Sequence, residues 1–387
     1  MIAGAGPAGS SLAIRLAVNG FDVTMIERES FPRQKLCGEF ISPECFDHFA
    51  ELGVLDDMKA VGGDRVHETA FYSADGRSVT VPSSFMGADG ALSMSRAEMD
   101  LQLLKRARAV GVNVIENAYV SELIVRNASV VGVGYRSGGE TVSLDADIVV
   151  DATGRAAALA RLLAKSLAVG DRRPPAKPSF VGFKTHMRNA DLAPGRCEIY
   201  FFKGGYGGLT NIEDGLANLC FLVKAELVRD HNSNADEVVQ SLLLGNPQAR
   251  RSLSNAVSAR EWIAVPLGEY GRKQVNPAPG LFCVGDSAAF IDPFTGSGML
   301  LAFESSELLF KAIDATPSSQ SLIGRQYLSA HEARFNSRLR AAALLRQAAF
   351  VPSLASAAIR VAGGSVILTE LLTRFTRRRV VSAFSKR

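Results

Sequence analysis

The feature that most constrains this chain is a pair of glycine-rich strings almost three hundred residues apart. Gly4-Ala5-Gly6-Pro7-Ala8-Gly9 opens it; Leu281-Phe282-Cys283-Val284-Gly285-Asp286 comes late, followed by Asp292-Pro293-Phe294-Thr295-Gly296-Ser297-Gly298. The first string carries meaning only between a strand and a helix, and that setting is present. Met1-Ile2-Ala3 is apolar, and Ser10 to Val18 repeats apolar residues at helical spacing. Gly4 then permits a tight turn, Gly6 lets a pyrophosphate approach the backbone, and Gly9 allows close helix–strand packing. The phosphates would sit at the helix N-terminus, where free N–H groups and the dipole favour anions. After a turn at Asn19-Gly20, Phe21 to Ile26 reads as a second strand ending in Glu27, a carboxylate placed for ribose hydroxyls. Only three residues precede Gly4, fewer than the usual buried strand, so native residues are expected upstream of Met1.

The second string is a short apolar strand with Gly-Asp at its carboxyl end, the end at which open parallel sheets bind ligands. Asp286 is placed to hold the ribityl hydroxyls of FAD; an ordinary helix-cap aspartate is the bland alternative. Pro293, Gly296 and Gly298 are expected to open a helix with Met299, Leu300, Ala302, Phe303, Leu308 and Leu309 on its apolar positions. Its N-terminus would favour negative charge on a reduced flavin. Read together, the strings are two ends of one FAD site.

Further segments carry a family resemblance. Glu27-Arg28-Glu29-Ser30-Phe31-Pro32-Arg33-Gln34-Lys35-Leu36-Cys37-Gly38-Glu39, Ser95-Arg96-Ala97-Glu98-Met99-Asp100 and Asp147 to Arg155 resemble the superfamily of aromatic-ring hydroxylases, geranylgeranyl reductases and flavin halogenases. The resemblance covers residues 1–310. It implies that Gly4, Gly6, Pro7, Ala8, Gly9, Glu27, Arg28, Arg96, Gly285, Asp286, Pro293, Gly296, Ser297, Gly298 and Met299 surround FAD. Thr153-Gly154 stands where ring hydroxylases carry Asp-Gly, which argues against a direct NADPH reaction. The halogenase string Trp-x-Trp-x-Ile-Pro is absent; Trp262 is the one tryptophan, and no lysine lies between Lys59 and Lys105. Cys37-Gly38 resembles the Cys-Gly loop of the geranylgeranyl-reductase-like branch, although Glu39-Phe40 follow instead of further glycines.

The fold class expected is α/β, α+β overall: a discontinuous Rossmann-like FAD domain (1–64, 91–171, 275–320), an antiparallel β-sheet substrate domain (65–90, 172–274) and C-terminal helices (321–387). Hairpins are expected at Arg65–Ser73 with Val79–Val81, and at Val120–Arg126 with Val130–Tyr135, then Thr141–Leu144. Arg172-Arg173-Pro174-Pro175-Ala176-Lys177-Pro178 marks a domain crossing. Strands follow at Phe180–Met187, Cys197–Phe202, Gly208–Asn211 and Leu216–Lys224, then a helix near Asp236–Leu244.

At 387 residues, with 47% hydrophobic and 21% charged content, the chain has ample material for a large core. A net charge of +4 without an aromatic-interleaved basic stripe points away from nucleic acid. Cys37, Cys45, Cys197, Cys220 and Cys283 have no zinc spacing, and no metal site is expected; a reducing cytoplasm is the expected setting. Ala349–Leu372 is apolar but broken by Pro352, Arg360, Gly363-Gly364 and Glu370, and arginines follow at 374 and 377–379. That pattern fits either peripheral contact with an anionic membrane or a core helix with a solvated basic tail.

Cys37 and Tyr206 are the candidate catalytic residues. Cys37 reads as a cavity wall, proton donor or reactive thiol, or as a buried apolar cysteine. Tyr206, within Lys203-Gly204-Gly205-Tyr206-Gly207-Gly208, resembles the cavity-lining Gly-Tyr-Gly strand of the reductase branch; a plain β-bulge is the alternative. Arg33 and Lys35 face either phosphate or solvent, and the five histidines form no ligand spacing. The expected function is an FAD-dependent oxidoreductase moving a hydride to or from an apolar or amphiphilic prenyl- or polyketide-type metabolite. A monooxygenase using a C4a-hydroperoxyflavin and a non-catalytic flavin-binding module are the alternatives. Electrons come from NAD(P)H docking without a dedicated domain or from a redox partner protein.

Overall fold

A computed structural model of the chain describes residues 1–85, 90–166, 178–268, 270–351 and 356–360. Five parallel strands form one sheet in the order Leu281–Cys283, Val149–Asp151, Ile2–Ala3, Thr24–Ile26, Asn113–Ile115. The three middle strands and Leu281–Cys283 are almost wholly buried apolar runs, as strands covered on both faces must be. Because the strands come from the start, middle and end of the chain, this order sets the late glycine string beside the first one.

The helix Pro7–Val18 begins with proline at its first position, where a missing N–H costs nothing, and ends at Asn19-Gly20, with Gly20 at φ +85°. It packs along the late helix Gly298–Ala315, and Ser11 Oγ meets Ser306 Oγ at 2.6 Å between them. Pro293–Thr295 forms a separate 3-10 turn; Gly296 at φ +59° redirects the chain, and the helix starts only at Gly298. The strand expected over Phe21–Ile26 is confined to Thr24–Ile26.

The second large sheet follows the order Val257–Ser258, Phe180–Arg188, Ala217–Lys224, Gly205–Asn211, Arg196–Phe202, Glu68–Tyr72, Ser78–Pro82, and Ile263–Leu267 also pairs with Phe180–Arg188. All its pairings are antiparallel except Arg196–Phe202 with Glu68–Tyr72. The glycine-rich stretch around Tyr206 is not a bulge. Gly205–Asn211 pairs with both neighbours without a register break, and a Cβ on Gly205 would lie 2.4 Å from the Leu222 carbonyl oxygen. On one face Phe183, Tyr200, Phe202, Leu219, Phe221 and Val223 form a core under the helices Ala225–Asp230, Ala235–Ser241 and Pro247–Ser252. Each buried aromatic there contributes about 1.5–3 kcal/mol relative to exposure. The helix expected to reach Leu244 stops at Ser241, with a 3-10 turn over Leu243–Gly245, because Asn246 caps the next helix through the N–H groups of Gln248 and Ala249.

A three-stranded meander, Ala118–Arg126, Ser129–Ser137 and Glu140–Asp145, adds a further layer. The C-terminal helix spans Gln320–Ala349. The Arg172–Lys177 stretch and the basic run beyond residue 360 lie outside the described residues. Among the described residues no helix is long and apolar enough to cross a membrane.

Candidate functional site

The two glycine strings touch. A Cβ on Gly285, at φ +59°, would lie 2.8 Å from Ala8 Cβ. One on Gly9 would lie 1.9 Å from the Gly4 carbonyl oxygen, and one on Gly4, at φ +101°, 2.4 Å from that of Ala152. Helix, turn and late strand therefore meet at a closeness that side chains forbid. Gly6 is the helix N-cap in extended conformation, and no side chain caps the first turn. Its missing Cβ faces a different setting: the position lies 3.8 Å from Nη2 of Arg33 and 3.8 Å from Nη2 of Arg96. An uncapped helix start under two guanidinium groups suits a pyrophosphate. These residues fit the adenine-dinucleotide half of FAD.

Arg33 and Arg96 are held by one buried carboxylate. Asp100 accepts from Arg33 Nη1 at 2.7 Å and from Arg96 Nε and Nη2 at 2.8 and 2.7 Å. Burial opposes ionisation of Asp100, but the two arginines hold its carboxyl below the usual range. Arg96 stands at the start of the helix Arg96–Ala109, whose N-cap Ser95 accepts from the Glu98 N–H at 3.2 Å. Glu27 lies at the end of its strand, with its carboxylate accepting from the N–H groups of Ala5 (2.8 Å) and Glu29 (3.1 Å). It thus ties down the phosphate loop. Arg28 is exposed and pairs with Glu29 at 3.3 Å. Lys35 also pairs with Glu29, whereas Arg33 is buried.

Asp286 occupies the 3-10 turn Gly285–Ser287 that follows the late strand. Burial pushes its carboxyl up, and the charges of Arg155, Arg96 and Lys273 oppose that shift. Lys273 braces the turn by donating to the carbonyls of Asp286 (3.2 Å) and Arg155 (2.7 Å). Nearby, buried Asp151 accepts from the N–H groups of Thr153, Leu159 and Ala160 and from Ser287 Oγ. Pro293 and Gly296 shape the next turn, Gly298 and Met299 begin the helix, and Ser297 is buried before them.

Cys37 and Tyr206 come to the same face of the large sheet. Strand alternation and register put Gly182, Lys184 and His186 on that face with Asn218, Cys220, Leu222, Tyr206 and Thr210. Asn218 Nδ2 donates to the Cys37 carbonyl at 3.1 Å, and a Cβ on Gly182 would lie 2.6 Å from Leu36 Cδ2. Burial pushes the Cys37 thiol up, against the charge of Arg96. Tyr206 is buried and donates to Asp292 Oδ1 at 2.8 Å. Its ring lies edge-on to Phe294 (5.3 Å) and Phe350 (5.6 Å). Phe201, Leu222 and Phe290 complete an aromatic wall between this sheet and the Asp292–Gly298 loop.

The residue set missed from the sequence is Glu39, Lys184 and His186. Glu39 is fully buried and pairs with Lys184 and, at 2.9 Å, with His186 Nε2. A signal was available: positions 184 and 186 of a predicted strand share a face, where their charge or polarity breaks an otherwise apolar pattern.

The comparisons with known proteins agree with this geometry. A family model described as an FAD binding domain matches residues 1–188. Tryptophan 2-halogenase of Chondromyces crocatus is 26% identical over 91% of this chain and 67% of its own length. Digeranylgeranylglycerophospholipid reductase of Methanosarcina mazei is 26% identical over 81% of this chain and 74% of its own length. The fold of a geranylgeranyl bacteriochlorophyll reductase-like protein from Thermoplasma acidophilum superposes with a TM-score of 0.79, at 19% identity, over 96% of this chain and 94% of that one. Sequence relatives and fold neighbours thus converge: the chain carries an FAD binding domain over its first 188 residues and is an FAD-dependent enzyme, and the proteins it is similar to include geranylgeranyl reductases and flavin halogenases.

Proposed function

We propose that the chain is a reductase-type member of this superfamily that acts on an apolar or amphiphilic small molecule of prenyl or polyketide type. The observation that carries this reading is the aromatic wall of Tyr206, Phe201, Phe290, Phe294 and Phe350, set against the late glycine loop and beside Cys37. Bound FAD supplies two-electron chemistry, a hydride exchanged with a carbon–carbon double bond. The wall's part is to bind the apolar body of the substrate and exclude water. Burial and the neighbouring Asp292 push the Tyr206 hydroxyl well up, so in this reading it orients by hydrogen bonding. Burial likewise pushes the Cys37 thiol up and favours its protonated form, and in this reading that proton goes to the second carbon of the double bond.

Halogenases stand among the relatives, yet the features that mark them are absent from this sequence. Trp262 donates to Asp236 and packs against Phe183 and Phe221, on the helix-covered face of the sheet. The test is anaerobic. Chemically reduced holoenzyme is mixed under nitrogen with isoprenoid alcohols and phenolic polyketides, and the flavin spectrum is followed. Return of the oxidised spectrum with saturation of the substrate supports the reductase reading. A spectrum that returns only when oxygen is admitted, with an oxygen atom incorporated, overturns it in favour of a monooxygenase.

A further inference from the structure

One carboxylate joins three elements on the polar face of the large sheet. Glu39 lies in the loop after the phosphate-binding half, with no exposed surface and a left-handed backbone at φ +55°. Its Oε1 accepts from Lys184 Nζ and from the Arg96 N–H at 2.7 Å, and its Oε2 accepts from His186 Nε2 at 2.9 Å. Its own N–H donates to Cys37 Sγ at 3.3 Å, and its carbonyl accepts from the Met94 N–H at 3.2 Å. Lys184 is 1% exposed and also donates to Gln34 Oε1 (3.0 Å) and the Lys35 carbonyl (3.2 Å), so all three ammonium hydrogens are used.

Such an arrangement is a poor route to stability. Burying charges costs several kcal/mol per ion, and apolar side chains of equal volume would serve the fold as well or better. A left-handed glutamate adds backbone strain of the kind that clusters at functional sites. What the network does fix is geometry. It ties the Cys37 loop, the first residue of the Arg96 helix and the strand Phe180–Arg188 to one point. The charged and titratable groups acting on the Cys37 thiol are Arg96, Glu39 and Lys184, with Cys220 facing it from the neighbouring strand.

We propose that Lys184, braced with His186 against Glu39, is a positioning residue of the reacting site: the network holds Arg96 and the Cys37 loop in place and sets the electrostatic field at the Cys37 thiol. The inference rests on reading this face as the reacting face, but its test does not use turnover. Holoenzyme is treated with iodoacetamide across a pH series, and alkylation of the Cys37 peptide is followed by mass spectrometry. Lys184→Met removes a cation and should move the alkylation midpoint up by about one pH unit; Glu39→Gln removes an anion and should move it down by a similar amount. The double variant leaves neither charge unpaired, so it folds even where a single variant does not, and its midpoint should fall between the two.

A merely structural network gives the opposite result: both single variants loosen the loop and label faster at every pH, with no opposed displacement of the midpoints. That result, or a double variant outside the bracket of the singles, overturns the proposal. Opposed displacements together with a failed anaerobic reductase assay would leave the network standing and remove only the reductase reading.

Discussion

The two faces of the large sheet are made by the same strands and do different work. Each buries a carboxylate. On the helix-covered face Glu198 accepts from Tyr200 Oη (2.6 Å), Ser252 Oγ (2.7 Å) and Gln248 Nε2 (3.1 Å), neutral donors that complete a packed core. On the other face Glu39 is held by a lysine and a histidine beside a thiol. The first face is built as an interior is built, from interlocking aromatics, and the cation near Glu198, Arg196, stands farther off at 3.6 Å and is partly exposed. The second mixes charge, thiol, glycine and aromatic wall. Side-chain alternation along one strand is enough to separate stability from chemistry.

The sharpest way to break this comparison is to damage the packed face alone. Phe221 stacks on Phe183 at 5.0 Å and meets Trp262 edge-on at 5.7 Å. Phe221→Ala should cost about 3–5 kcal/mol in denaturant unfolding while leaving the FAD affinity of the folded fraction unchanged. A large change in affinity would show that the faces are not independent.

Acid should separate packed regions from the reacting face. His331, buried between Tyr327 and Phe335 on the C-terminal helix, is pushed by burial down to about 4. The unfolded chain binds its proton first, so its stabilising share is present above the ordinary histidine value near pH 6.5. It is lost as the pH falls from there towards 4, a change of roughly 3 kcal/mol. Glu39 works lower down. Burial opposes its charge, but His186 and Lys184 hold its carboxyl below the usual range. Its contribution is complete above the ordinary value of about 4.5 and disappears as the pH falls through the folded value. His331→Phe should flatten the stability curve between pH 6.5 and 4 and leave the loss below that range; a curve unchanged by the substitution would remove His331 as the cause.

Smaller effects belong to the reacting face. Gly182→Ala would push the Leu36 tip and with it the Cys37 loop, at about 1 kcal/mol in stability, and should change the rate of Cys37 alkylation. Tyr206→Phe keeps the ring contacts and removes one hydrogen bond to Asp292. It should cost about 1 kcal/mol or less, lower substrate-dependent flavin reoxidation and leave FAD binding unaltered. Equal turnover in this variant would return Tyr206 to a plain wall residue.

How far the sequence reaches depends on whether the signal is local. The helix after Gly6, the strand before Gly285 and most strands of the large sheet follow from local spacing and turn residues, which glycine and apolar alternation announce directly. The contact between Ala8 and Gly285 accords with the expectation that the two strings are ends of one site. Glu27 and Arg28 show the limit: the first ties the loop by accepting backbone N–H groups, and the second points to solvent, neither of which a motif conveys. Glu39, Lys184 and His186 stayed hidden because their partnership spans 145 to 147 residues and depends on register. Strand alternation can flag Lys184 and His186 as polar on one face, but nothing local names Glu39 as their partner.

The most direct test of the central claim sets one residue from each side against the other. Apoprotein is prepared from wild type, Asp286→Ala and Phe221→Ala, and each is titrated with FAD alongside its unfolding curve. The account predicts that Asp286→Ala weakens FAD by about tenfold or more with unchanged apoprotein stability, since it removes one hydrogen-bonding charge from the ligand, while Phe221→Ala lowers stability and keeps the affinity. Full FAD affinity in Asp286→Ala would contradict the joining of the two glycine strings into one cofactor site.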